Sequence, residues 1–84
     1  MHTVAYSKEA LRTLQRMSVN TALRIRDKIR ELAVDPRGMR NVKRLSNHPG
    51  YRLRVGDWRV LFTVDQDAVT IHVIRIEPRG GVYQ

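Results

Sequence analysis

Gly50-Tyr51-Arg52-Leu53-Arg54-Val55-Gly56-Asp57-Trp58-Arg59-Val60-Leu61-Phe62-Thr63-Val64 reads as one β-hairpin. Two alternating runs, Tyr51 to Val55 and Trp58 to Val64, are separated by Gly56-Asp57 alone, and a two-residue loop with glycine first predicts a type II′ turn. That turn sets the register: Val55 faces Trp58, Arg54 faces Arg59, Leu53 faces Val60, Arg52 faces Leu61 and Tyr51 faces Phe62. One face of the ribbon is then apolar, with Tyr51, Leu53, Val55, Trp58, Val60, Phe62 and Val64. The other carries Arg52, Arg54 and Arg59, with Leu61 and Thr63 beside them. Two arginines directly opposed across strands repel and cost a few tenths of a kcal/mol, up to about 1. Stability alone does not favour that arrangement, whereas a polyanion-binding face would use it.

Working outward, 84 residues suit a single domain spanning 1–84, and the net charge of +8 (16 Lys plus Arg against 8 Asp plus Glu) points to acidic partners. The surplus is mostly arginine, which suits bidentate phosphate contacts. No stretch approaches the roughly 20 apolar residues that span a bilayer, and no secretory n-region and h-region opens the chain, so no membrane partner is expected. Cysteine is absent, which excludes disulfides and thiolate metal sites. His2, His48 and His72 are not at ligand spacing, so a cytoplasmic protein with no metal and no cofactor is expected.

Upstream of the hairpin, Thr3 to Tyr6 is a short strand. Ser7 caps a helix from Lys8 to Met17 with Ala10, Leu11, Leu14 and Met17 at helical spacing. Ser18 or Asn20 caps a second helix, reaching about Val34, whose stripe is Ala22, Ile25, Ile29 and Leu32. Asp35-Pro36-Arg37-Gly38 ends it. The segment from Met39 to Pro49 is polar, with a short strand around Val42 to Leu45. From Arg37 to Arg59 it and the hairpin hold seven basic residues and one acid, making Arg37, Arg40, Lys43 and Arg44 candidates for contact with nucleic-acid phosphates. His48 reads as a loop residue.

Downstream, Asp65-Gln66-Asp67 turns the chain into a third run, Ala68 to Ile76. Pairing Val64 with Val69, Phe62 with Ile71 and Val60 with Val73 extends the apolar face and puts Thr70, His72, Ile74 and Ile76 on the arginine face, with His72 half-buried. Ile74 and Ile76 beside Leu61 are more than a solvated face needs, so a tail, partner chain or nucleobase should cover it. Pro78 ends the strand, and Gly80-Gly81 lets the tail bring Arg79 and Tyr83 to the same face. The sum is an α+β domain of order β-α-α-β-β-β, a helical hairpin packed on one face of a small twisted antiparallel sheet.

The element order, the segment Val42 to Leu45, the Gly-Tyr-Arg-x-Arg-x-Gly-Asp-x-Arg pattern from Gly50 to Arg59, and the ending Val73-Ile74-Arg75-Ile76 through Arg79 to Val82-Tyr83 resemble the RelE/ParE superfamily of bacterial toxins from type II toxin–antitoxin modules. The resemblance spans nearly the whole chain and implies a RelE-like, microbial-ribonuclease-like fold. Within the superfamily the RelE branch cleaves messenger RNA in the ribosomal A site, and the ParE branch poisons DNA gyrase. The terminal Arg79 and Tyr83 resemble the RelE branch. On that resemblance Arg52, Arg54, Arg59, Arg79 and Tyr83 are the expected catalytic set of a metal-independent endoribonuclease. Its implied partners are mRNA, the ribosome and a RelB-like antitoxin that contacts Leu61, Ile74 and Ile76. A ParE-type gyrase inhibitor and a non-catalytic basic nucleic-acid-binding module are the competing readings. One departure bears on mechanism: the RelE pattern commonly has lysines where this chain has Arg52 and Arg54, and an arginine cannot give up its proton. Some relatives also carry a histidine just before the tyrosine, where this chain has Val82.

Overall fold

The computed structural model describes residues 1–79. Their order is β1 (Thr3–Tyr6), α1 (Lys8–Arg16), α2 (Val19–Val34), β2 (Val42–Arg44), β3 (Tyr51–Val55), β4 (Trp58–Asp65) and β5 (Thr70–Pro78). The five strands form one sheet in the order β1-β5-β4-β3-β2. The expected α+β architecture is present, with β2 to β5 antiparallel as anticipated. The sheet as a whole is mixed, because β1 joins its edge parallel to β5, Tyr6 beside Val73. This pairing joins segments from opposite ends of the described chain, a long-range alignment that the local pattern does not reveal.

Local chemistry accounts for each helix. The Ser7 hydroxyl accepts from the Ala10 amide at 3.0 Å and donates to the Ile74 carbonyl at 2.6 Å, so one side chain caps α1 and ties it to β5. Ser18 caps α2, accepting from the Thr21 amide. The stripes face the sheet: Ala10, Leu14, Ile25, Ile29, Leu32 and Ala33 are buried against Leu53, Val55, Val60, Phe62, Ile71, Val73 and Ile76. Leu11, assigned to the stripe of α1, lies at its margin and is exposed.

The hairpin has the expected register at every pair from Tyr51↔Phe62 to Val55↔Trp58. Gly56 has φ +58°, as the first position of its turn requires. At the other end Gly50, with φ +128°, is so close to the β4 backbone that a Cβ would lie 2.8 Å from the Phe62 carbonyl oxygen. The motif's two flanking glycines are thereby explained by backbone geometry.

The next strand differs from expectation. Val64 pairs with Ile71 and Phe62 with Val73, two residues further along β5 than the expected partners. The cause is the turn: β4 runs on to Asp65, whose carboxylate accepts from the amides of Asp67 and Ala68, and the chain returns only at Thr70. Opposite the Leu61–Phe62 step the ladder then slips, so that Leu61 meets Arg75 and Val60 meets Ile76, with Ile74 left over as a bulge. Beyond it the faces exchange. Ile76, expected on the arginine face, is in the core at 3% exposure, while Arg75 and Glu77 take its place outside.

The turn before β5 stores strain. Val69 has φ +51°, a left-handed conformation that costs a non-glycine residue roughly 1–2 kcal/mol, and its side chain is exposed. Val69→Gly should therefore raise Tm by about 4 °C, part of the relief being offset by the greater freedom of glycine in the unfolded chain. An unchanged or lower Tm in a thermal melt would show that the turn is not strained.

Candidate nucleic-acid interface

The face of the sheet turned away from the helices is built in two rows across the strands. One runs Lys43, Arg52, Leu61, Arg75 through β2, β3, β4 and β5. The neighbouring one runs Arg54, Arg59, Glu77. Five cationic side chains thus converge on one open surface, with Glu77 the carboxylate contributed by the rows themselves.

Glu77 resolves the repulsion expected between Arg54 and Arg59. Its Oε2 accepts from Arg59 Nη2 at 2.9 Å, with the two side chains only 12% and 16% exposed. Its other oxygen lies 3.8 Å from Arg75 Nη1. Arg75 in turn donates from Nε to Glu9 of α1 at 2.9 Å, a pair about half exposed and correspondingly weak. A chain of ion pairs therefore links α1, β5 and β4. Among the described residues, neither Arg52 nor Arg54 has a carboxylate partner, so these two present their charge outward.

The structure brings together Arg52, Arg54, Arg59 and Lys43 of the sequence-derived candidates. The Arg79 amide donates to the Asp57 carbonyl at 2.7 Å, which places the start of the tail beside the hairpin turn, at the end of the row that holds Arg59. Tyr83 lies outside the described residues. Arg44 and Arg37 are not on this face. Arg44 pairs with Tyr51, whose side chain belongs to the helix side, and both arginines line a separate cavity of about 550 Å³ floored by Met39, Val42, Tyr51, Phe62 and Val64. The expected single patch from Arg37 to Arg59 is thus divided between two faces, because consecutive residues of β2 point oppositely. Arg40 is exposed in the loop before β2. Of the apolar candidates, Leu61 is half-buried between Arg52 and Arg75 and Ile74 is 47% exposed at the bulge, whereas Ile76 is inaccessible.

Arg75 and Glu77 were missed by the sequence reading, although a signal for them exists. The apolar residues of β5 fall at Ile71, Val73, Ile74 and Ile76, so the alternation breaks at the adjacent pair Val73-Ile74, the change of phase that a bulge produces.

The family model for ParE toxins of type II toxin–antitoxin systems (parDE) matches residues 4–83. The chain belongs to that family. No protein of curated function matches it in sequence. The toxin's fold is shared with three RelE structures. The RelE–RelB complex of the archaeon Pyrococcus horikoshii has a TM-score of 0.82 at 24% identity, covering 96% of this chain and 98% of that one. The RelBE2 toxin–antitoxin complex of Mycobacterium tuberculosis gives 0.81 at 22% identity, covering 93% and 98%. Isolated RelE of Escherichia coli gives 0.79 at 20% identity, covering 99% and 92%.

Among the described residues, no tyrosine lies on the toxin's arginine face. Tyr51 is stacked on Phe62 on the helix side, with ring centroids 5.5 Å apart. Tyr6 lies under the guanidinium of Arg26, and burial pushes its phenol up, against the opposing pull of Arg26 and Arg30. His72, expected to be half-buried, is exposed, paired across the ladder with Thr63 towards the end of the face remote from Arg59. Among the described residues no group of three or more His, Asp or Glu is placed to hold a metal ion, and no helix is long and apolar enough to cross a membrane.

Proposed function

We propose that this toxin is a ribosome-dependent mRNA endonuclease that cuts in the A site and is neutralised by a RelB-like antitoxin. The observation that carries this reading is the open face with Lys43, Arg52, Arg54, Arg59 and Arg75 in adjacent rows and the tail anchored beside it through Arg79. Metal-independent RNA cleavage requires a base for the 2′-OH, cations for the charge that grows on phosphorus, and an acid for the departing 5′-oxygen. Arg52 and Arg54 hold and neutralise the phosphate, Arg59 adds charge from the next strand, and Arg79 stands near the leaving group. Tyr83, which lies outside the described residues, is assigned as the base in this scheme, a role that requires cations close enough to favour its phenolate. So sparse a site relies on the ribosome to orient the RNA, which places its action in the cytoplasm. The complexes of similar fold from P. horikoshii and M. tuberculosis support an antitoxin partner, and in this reading it covers the half-buried Leu61 and the exposed Ile74.

The family model's description favours a second reading, gyrase inhibition. Primer extension on mRNA from cells expressing the toxin separates the two. A-site cuts should appear, fall about a hundredfold with Tyr83→Phe, the scale of a lost general base, and vanish when an adjacent antitoxin reading frame is co-expressed. Intact mRNA with altered plasmid supercoiling would instead establish the gyrase reading. Salt-sensitive RNA binding without growth arrest would leave only a nucleic-acid-binding module.

A further inference from the structure

We propose that Arg59 and Arg75 form a subsite for one RNA phosphate and that Glu77 is the internal counter-anion filling it in the free toxin. The inference rests on the reading of this face as the RNA-binding surface and adds to it a named subsite and the residue that controls it.

The two oxygens of the Glu77 carboxylate face two different guanidinium groups, Oε2 at 2.9 Å from Arg59 and Oε1 at 3.8 Å from Arg75. Two non-bridging oxygens of a phosphodiester would present themselves to the same pair of forks in the same way. The carboxylate therefore marks an anion position in the face. It is there because the bulge at Ile74 turns both Arg75 and Glu77 outward; in the unbulged strand both would point into the core.

The pair is sheltered without being sealed. Arg59 and Glu77 retain 12% and 16% exposure on an open sheet surface. Around Glu77 the backbone is held, since Pro78 pairs with Trp58 and the Arg79 amide is bonded to Asp57. Exchange of carboxylate for phosphate involves rotation of the Glu77 side chain, and at Arg75 the loosening of a half-exposed ion pair with Glu9. A phosphate arriving on a nucleic acid chain has an advantage over Glu77, because adjacent phosphates meet Arg52 and Arg54 in the same event.

The test uses the full chain, Glu77→Gln, and two probes: inorganic tripolyphosphate and a single-stranded oligouridylate. Removing the carboxylate's charge while keeping its shape should tighten tripolyphosphate binding about fivefold at low salt, and adding Arg75→Ala should abolish the gain. For the oligouridylate, the slope of log K against log salt should steepen by about 0.7, the increment for one further neutralised phosphate on a single strand. Unchanged or weaker tripolyphosphate binding by folded Glu77→Gln would overturn the subsite. Should that variant not fold, the wild-type chain decides: the Nε–H resonances of Arg59 and Arg75 must move together when tripolyphosphate is added, and movement confined to Arg52 and Arg54 overturns the proposal. Oligouridylate binding that is indifferent to Glu77 defeats the subsite and leaves the RNA reading standing. Tripolyphosphate binding that responds to Glu77, with no oligouridylate binding by any variant, does the reverse.

Discussion

Phe62→Ala should shift the urea midpoint of unfolding downward by about 2–5 M. Phe62 is 1% exposed in the centre of β4, stacked on Tyr51 and paired with Val73 under the helices. Truncating a buried phenylalanine removes its transfer free energy and leaves a cavity that strands on both sides prevent from collapsing, a loss of about 3–5 kcal/mol. A small domain's entire stability is about 5–15 kcal/mol, so the variant should be close to unfolded at physiological temperature. The midpoint shift follows from a urea slope of about 1–1.5 kcal/mol/M for a chain this short. Ile29→Val, which deletes one methyl group from an equally buried site in α2, should cost only about 1 kcal/mol. Equal effects of the two changes would mean that the hairpin is not the centre of the core.

The second large effect concerns activity. Combined Arg52→Ala and Arg54→Ala should reduce A-site cleavage at least about a hundredfold, the scale seen when one preorganised charge-stabilising donor is removed from a reaction centre. It should also flatten the salt dependence of oligouridylate binding by about 1.4, or 0.7 for each phosphate no longer neutralised. Both side chains are at the surface of β3 without a carboxylate partner among the described residues, so thermal stability should change by less than about 1 kcal/mol and loss of activity can be separated from loss of fold. Cleavage that survives the double change would remove the arginine face from the chemistry. Arg59 is less suited to this test. Replacing it strands the sheltered Glu77 carboxylate, and any reduced activity would mix electrostatics with stability.

The contrast between Arg54 and Arg59 shows why the candidate site was only partly legible in advance. From the sequence the two are equivalent, facing each other across a two-residue turn. In the fold one is open to solvent and the other is held by a carboxylate 18 residues further along the chain. Likewise Lys43 and Arg44, adjacent and alike, serve opposite faces: Lys43 joins the arginine row and Arg44 the helix-side cavity. A count of basic residues between Arg37 and Arg59 sums over both faces, whereas only a strand register can separate them.

What the sequence determined by itself was the hairpin and the helix starts, both governed by interactions within a few residues, whereas the extent of the equally local Asp65 turn was not read from it. The hairpin register from Tyr51 to Phe62 follows from strict alternation and a glycine-first turn, and the helix starts follow from Ser7 and Ser18, whose hydroxyls satisfy amides three residues on. What only the tertiary structure decided was the alignment of segments far apart in the chain: β1 beside β5, and the phase of β5 against β4. A bulge is chosen by the ladder as a whole, because the extra residue at Ile74 lets both Val73 and Ile76 reach the core on one side of the slip and the other. The same extra residue carries Arg75 and Glu77 onto the arginine face, so the composition of the site was settled by the packing of the core beneath it.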